Sequence, residues 1–272
     1  MDIIFNHYFK VVPANTYELL EKVHNIRYEV FSKELGYFDE EAFTEHYEVD
    51  ENDLVSQQCL IKLKSRNLYV GCVRLVSGIL DGQRNQLPFE SYYGDKSFSS
   101  DDVNIMDLDP SSYGEISRMA VISSFRSMRI DTNEILALHS KVKSIQHEDR
   151  NFPLIGFGLY LASAAMALNI GYERVFCMME PRLARRLQIY GINFTQIAPI
   201  VENKDKPAAY KRAAYQITRK ELLEGIPLEI TALIEDIRNS LEFQTYSLYK
   251  SSLCGGTVEH YSKRNYNNES RV

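Results

Sequence analysis

Apolar positions along the chain switch between a period of two and a period near 3.6, and the order of the switches predicts an α/β domain. Residues 9–12 read as a short strand. Leu19, Leu20, Val23, Ile26, Val30 and Phe31 then recur at helical spacing, behind Asn15 with Glu18 three residues on, a start signal for a helix that Gly36 ends. Two β-rich runs, 59–63 and 69–76, flank Ser65-Arg66-Asn67 and predict an antiparallel hairpin. Residues 78–112, rich in Gly, Asp, Ser and Pro, read as a polar excursion before a strand at 115–122, and a second excursion at 124–151 carries a helical patch at 135–145.

The second half reads as helix 153–170, strand 174–179, helix 181–190 and strands near 193–201 and 209–217. Thr218 with Glu221 is a capping box for a short helix, and 227–243 carries an amphipathic one. Residues 251–272 are polar and rich in Gly, Asn and Ser, a composition that predicts disorder. The expected organisation is one domain over 1–217, a helical extension over 218–250 and a tail, with no internal repeat.

Charge and cysteine usage narrow the classes. A net charge of -6 over 272 residues argues against nonspecific nucleic-acid binding. Cys59, Cys72, Cys177 and Cys254 show no paired spacing, and three lie in apolar strand-like runs, as reduced buried thiols do, which points to the cytoplasm. Residues 1–12 have no basic segment leading into an apolar core, so a secretory signal is not expected. The run 152–172 contains no charge, yet its glycines, alanines and Asn169 fit a buried helix packed on a sheet better than a membrane span. His7, His24, His46, His139, His147 and His260 lack metal-ligand spacing, and no metal site is expected.

What stands out against this ordinary background is a set of charges at strand and helix ends: Arg27, Asp50, Asp53, Arg74, Glu115 and Arg118, with the aromatics Phe31 and Tyr37. An internal salt-bridge network would produce the same composition, but buried charges are costly, and active sites tolerate that cost more often than scaffolds do. The set is read as a candidate active site.

The order of a first helix, a hairpin, a central strand carrying Glu and Arg, a long helix and a strand-helix-strand close resembles the GNAT acyltransferase fold. That fold has a central mixed, mostly antiparallel sheet flanked by helices. Arg27-x3-Phe31-x5-Tyr37, Glu48-x-Asp50-x2-Asp53, the run from Val70 to Leu75 with Arg74, Phe89, and Gly114-Glu115-Ile116-Ser117-Arg118-Met119-Ala120-Val121 are similar to the signature of the acyl-homoserine lactone synthase (LuxI-type) branch. Tyr37 stands where those synthases carry Trp. Pro153-Leu154, Gly171, the run from Met179 to Leu187, Gly191-Ile192 and Lys206-Pro207-Ala208-Ala209-Tyr210 are similar to the exosortase-associated (PEP-CTERM system) acyltransferases, relatives of the N-acyl amino acid synthases.

The resemblance implies transfer of an acyl group from a thioester to an amine. An amine attacks only as the free base, so a proton acceptor is needed, and Glu115 and Asp50, with Asp53, are the catalytic candidates. Backbone N–H groups at a bulge on the central strand, around Met119, Ala120 and Val121, are implied as oxyanion donors. Arg27, Phe31, Tyr37, Arg74, Phe89 and Arg118 are the substrate-binding candidates, the arginines through bidentate contact with a carboxylate or by holding the acids in place. Cys72, on a strand with no histidine motif nearby, reads as an inert thiol rather than an acyl-cysteine nucleophile.

The segment after the central strand bears on the donor. CoA-using members of the fold usually place a glycine-rich loop there, whereas this chain has Phe125-Arg126-Ser127-Met128-Arg129, and Gly156 and Gly158 serve equally well as packing positions. Acyl carrier protein, which is acidic and presents a single phosphopantetheine, is therefore the expected partner, with acyl-CoA as the other possible donor. Arg182, Arg185 and Arg186 on one short helix, joined by Lys204, Lys206, Lys211 and Arg212, form the candidate docking surface, although a solvated helix face accounts for them equally. No tightly bound cofactor is expected. The leading expectation is an N-acyl amino acid synthase-like enzyme acting on an amino acid or similar small amine. The alternatives are an acyl-homoserine lactone synthase using S-adenosylmethionine and a noncatalytic carrier-binding or sensor protein.

Overall fold

The structure, a computed structural model, describes residues 2–43, 45–94, 104–126, 154–203 and 210–241. A short helix α1 (Asp2–Tyr8) leads into strand β1 (Phe9–Pro13) and helix α2 (Tyr17–Arg27), which continues as a π-helical turn over Tyr28–Glu34. The N-cap of α2 is Thr16, whose hydroxyl accepts from the Leu19 N–H at 3.3 Å, one residue after the expected Asn15. After a 3-10 turn at Glu51–Val55, strands β2 (Ser56–Leu63) and β3 (Leu68–Ser77) form the expected hairpin, closed by Asn67 in the left-handed region.

The polar excursion is more ordered than its composition suggested. It holds a two-residue hairpin, β4 (Ile79–Leu80) with β5 (Gln83–Arg84), and helix α3 (Pro88–Tyr93). The central strand β6 (Tyr113–Val121), helix α4 (Ser123–Arg126), helix α5 (Leu154–Ile170), strand β7 (Arg174–Met179) and helix α6 (Pro181–Ile189) come next. The chain closes with β8 (Thr195–Gln196), β9 (Val201–Asn203), β10 (Tyr210–Thr218), α7 (Arg219–Gly225) and α8 (Leu228–Ser240). Within the strand expected over 193–201, only Thr195–Gln196 and Val201, the first residue of β9, are strand. The helical patch at 135–145 and the tail at 251–272 lie outside the described residues.

Strands are ordered β1-β2-β3-β6-β7-β10-β8, with β9 pairing on β10. Every neighbouring pair on that path is antiparallel except β6 with β7, which run parallel. Side chains alternate across a strand, so one face of the sheet packs on α5, α8 and α1 through residues such as Val73, Leu75 and Ile116, while the other carries α2 and α3. Helix α5 is buried along nearly its whole length. It is the uncharged run of the sequence, and no helix among the described residues is long and apolar enough to cross a membrane.

Gly158 settles its own role. A Cβ there would come within 2.2 Å of the Phe5 ring, so the missing side chain lets α1 press against α5. The glycine is a packing position and not part of a phosphate cradle.

Candidate active site

Two features of β6 build the site. Cys72 on β3 pairs with Ala120 and Arg74 with Ser117, so β6 carries one residue more than its partner across that step. The extra residue is a β-bulge at Arg118 and Met119, with Arg118 at φ 47°, a left-handed conformation that costs a non-glycine residue about 1–3 kcal/mol. The sequence placed the bulge around Met119 to Val121, and the structure puts it at the beginning of that stretch. Beside it, the parallel pairing of β6 with β7 covers only Tyr113↔Arg174 to Ile116↔Cys177 and then stops. Residues 113–116 of β6 are buried, whereas Ser117, Arg118 and Met119 are partly accessible, as expected where two strands splay apart.

On the α2 face of this splayed pair, three arginines and three carboxylates interlock. Arg27, from the last turn of α2, donates from Nη1 and Nη2 to the two Asp53 oxygens at 2.6 and 3.1 Å and from Nε to Glu48. Arg74 donates to the second Asp50 oxygen at 3.0 Å, to Asp53 at 2.9 Å and to the Ser117 hydroxyl at 3.0 Å. Arg118 donates to Glu48 at 3.1 Å and to Asp50 at 2.9 Å. Asp50 also caps the 3-10 turn, accepting from the Asn52 N–H at 2.9 Å, while Asp53 accepts from the Asp50 N–H at 2.8 Å. Counted over these pairs, the formal charges cancel.

Burial decides what each member can touch. Arg27 and Arg74 are 0% exposed, whereas the side chains of Arg118 and Asp50 keep 23% and 24% exposure. Arg27 and Arg74 therefore meet carboxylates of their own chain and present no surface to a substrate. Burial alone would raise the Asp53 carboxyl, but Arg27 and Arg74 outweigh it and hold the group far below the usual carboxylate range. Glu48 behaves likewise under Arg118 and Arg27. Glu48 belonged to the sequence motif, but nothing in the sequence assigned it a role, since its partners lie 21 and 70 residues away. His24, one turn before Arg27, was also missed. Burial lowers it to about 4, so it stays neutral, and its Nε2 has no hydrogen-bond partner among the described residues.

Glu115 stands apart from the six. It lies on the same face of β6 as Ser117, opposite Val76, and is 2% exposed. Its Oε2 accepts from the Phe89 N–H at 2.8 Å. Burial dominates here and raises the carboxyl to about 8, only partly opposed by that hydrogen bond and by the Arg74 charge. Phe89 thus meets the candidate site through its backbone, while its ring packs on Phe176 at 5.1 Å between centroids. Turn Leu87–Phe89 is held by Glu90, whose carboxylate accepts from the Leu87 N–H at 2.9 Å and pairs with Arg84.

Aromatic rings roof the lattice. The Arg118 guanidinium lies 4.9 Å from the Phe38 ring centroid and 5.9 Å from that of Phe31, and Tyr37 stacks on Phe31 at 6.3 Å. Arg182, Arg185 and Arg186 are exposed on α6, which begins directly after the open end of β7. Lys204 and Lys206 lie outside the described residues. Arg212, grouped with that basic patch in the sequence, instead sits 5.4 Å over the Tyr37 ring. Burial pushes the Cys72 thiol up to about 12, which fits an inert core cysteine. No group of three or more metal-ligating side chains occurs among the described residues.

Residues 26–133 match the family described as an acetyltransferase (GNAT) domain. Among solved structures, TofI in a ternary complex with an inhibitor and MTA aligns at 14% identity and a TM-score of 0.50 over 83% of this chain and 96% of that one. BjaI, a CoA-dependent acyl-homoserine lactone synthase with SAM and isopentyl-CoA, aligns at 17% identity and a TM-score of 0.50 over 91% of this chain and 99% of that one. No curated protein matches the sequence. The fold is the GNAT fold, a large and mostly antiparallel sheet flanked by helices.

Proposed function

We propose that the chain is an N-acyltransferase that moves a fatty acyl group from a phosphopantetheine thioester to the amine of an amino acid or similar small acceptor. The observation that carries this reading is a buried carboxyl raised to about 8 beside a splayed, bulged strand pair. A base of that strength is matched to an ammonium that must lose a proton near neutral pH. The GNAT domain match supports an acyl-transfer reaction.

In this reading the Glu115 carboxylate, itself only 2% exposed, accepts a proton from the acceptor through a relaying water, and the amine nitrogen attacks the thioester carbonyl carbon. The oxyanion forms against N–H groups of the Arg118–Met119 bulge and the residues after it, Ala120 and Val121, which replace lost carbonyl resonance with fixed dipoles. Collapse breaks the C–S bond: the attacking nitrogen gives up its second proton to solvent, the departing thiolate takes the proton that Glu115 held, and neutral amide and thiol remain with the Glu115 carboxylate restored. No acyl-enzyme forms. Arg27, Arg74, Glu48 and Asp53 act as positioning residues, and Asp50, Arg118, Phe31 and Tyr37 are the members that face the substrates. The exosortase-like features of the second half support a plain amino acid as acceptor.

A second reading, acyl-homoserine lactone synthesis from S-adenosylmethionine, uses the same lattice and is supported by the motif from Arg27 to Arg118. Mass spectrometry of the products formed by purified protein separates the two. N-acyl amino acid made without S-adenosylmethionine is the expected result, and lactone made only with it installs the second reading. Formation of neither would leave a carrier-binding protein.

The donor is read as acyl carrier protein because α6 presents three exposed arginines next to the splayed strands. Arg182→Glu combined with Arg186→Glu is expected to raise KM for the acyl carrier protein about tenfold or more while leaving KM for a short acyl-pantetheine unchanged. Equal losses on both donors would assign these arginines no docking role.

A further inference from the structure

Among the described residues, the one hydrogen bond made to the Glu115 carboxylate comes from the Phe89 N–H, at 2.8 Å. The first turn of α3 decides where that N–H points. Pro88 has no N–H, the Glu90 N–H donates to the Leu87 carbonyl at 3.0 Å, and the Leu87 N–H donates to Glu90 Oε2 at 2.9 Å. The Phe89 N–H is left to reach across to β6.

Glu90 is 6% exposed, and a carboxylate buried to that degree is costly unless a cation meets it. Arg84 on β5 supplies that cation. The β4–β5 hairpin that carries Arg84 is tied in turn to the end of β3, where the Asn85 N–H donates to the Gly78 carbonyl at 2.8 Å and the Asn85 side-chain amide to the Ser77 carbonyl at 2.9 Å. Ser77 pairs with Gly114, the residue before Glu115. A closed circuit thus runs from β3 through Arg84, Glu90 and the Phe89 N–H back to β6.

From this circuit we infer that Glu90 is a positioning residue for acyl transfer: braced by Arg84, it fixes the Leu87–Phe89 turn so that the Phe89 N–H holds the Glu115 carboxylate in place. The inference rests on the amine-acylation reading above and deepens it by adding a residue outside the arginine–carboxylate lattice. Glu90 also acts through its charge. Burial is the leading influence on Glu115. The Phe89 N–H, Arg74 on β3 and Arg118 on β6 favour its carboxylate, Glu90 on α3 opposes it, and the Cys177 thiol on β7, itself pushed far up by burial, lies near it uncharged.

The test uses full-length protein, decanoyl-CoA and decanoyl carrier protein as donors and L-amino acids as acceptors, with Glu90→Ala and Glu90→Gln each made in the wild type and in Glu115→Gln. Both substitutions remove the charge, but Gln keeps a carbonyl for the Leu87 N–H, and Arg84, with 24% of its side chain exposed, can turn to water. Glu90→Ala is expected to lower kcat about ten- to a hundredfold with KM for the donors unchanged, the cost of a misplaced proton acceptor. Glu90→Gln should stay within about threefold of wild type on the pH plateau and move the rising limb of kcat to lower pH by about half a unit. In the Glu115→Gln background either substitution should change the residual rate by less than about twofold, because the residue through which Glu90 acts is gone. Equal fold losses in both backgrounds, or a limb that Glu90→Gln leaves in place, would overturn the assignment and leave Arg84 and Glu90 a clamp between hairpin and helix. Failure of the unaltered protein to acylate any amine from either donor would overturn the acyltransferase reading itself, and this inference with it.

Discussion

Glu115→Gln is expected to leave the protein folded and to lower acyl transfer by about 10²–10⁴-fold, the usual contribution of a positioned proton acceptor. Gln fills the same space and still accepts from the Phe89 N–H, so the loss isolates basicity. With Glu115 raised to about 8 by burial, kcat at saturating acceptor should climb with pH and level off above about 8, and the residual rate of the Gln variant should lack that limb. Stability should respond in the opposite sense. Because the folded-state value lies above the ordinary 4.5, the protonated group favours the folded state fully below pH 4.5, and the advantage fades as pH rises through about 8. Thermal unfolding followed across that window should show a flatter pH dependence for the Gln variant. Unchanged kcat with an unchanged limb would remove Glu115 from the chemistry.

Asp53→Asn addresses the lattice and is expected to destabilise the protein by about 3–5 kcal/mol, because it leaves Arg27 and Arg74 buried with one shared counter-charge gone. For a chain of this size that corresponds to a fall in Tm of about 6–20 °C. Asp53 titrates well below its ordinary 3.8, so the stability it contributes is complete above that pH and is lost as pH falls further. The wild-type protein should therefore lose stability in acid more steeply than the Asn variant. A Tm within a degree or two of wild type would show that the six charges do not act as one coupled lattice.

Much of the fold could be read from residues whose signals are local. The β2–β3 hairpin followed from two β-branched runs around Ser65-Arg66-Asn67, and α5 from an uncharged run interrupted by small residues. Helices α1 and α3 were missed for opposite reasons. Seven residues at the chain start are too few to show a period, and α3 sits in a Gly- and Pro-rich stretch, held by the contact of Glu90 with the Leu87 N–H and Arg84. The candidate site was legible as a set and illegible as an arrangement. Sequence spacing gave Arg27, Asp53, Arg74 and Arg118 equal standing, while burial separates the sealed Arg27 and Arg74 from the accessible Arg118. That distinction, the part of Glu48 and the reach of Arg212 to Tyr37 all depend on pairing between distant segments, which no local pattern encodes.

The central claim is that Glu115, the β6 bulge and the balanced charges together acylate an amine directly from a thioester. The most direct measurement is thiol release from a decanoyl thioester, on carrier protein and on CoA, monitored with and without L-amino acids, with amide product and intact protein mass quantified from the same quench. Thiol and amide appearing in equal amounts, only when an amine is present and with no mass added to the protein, is the predicted result. Thiol release without amine, a decanoyl group on the protein, or no release from either donor would contradict it.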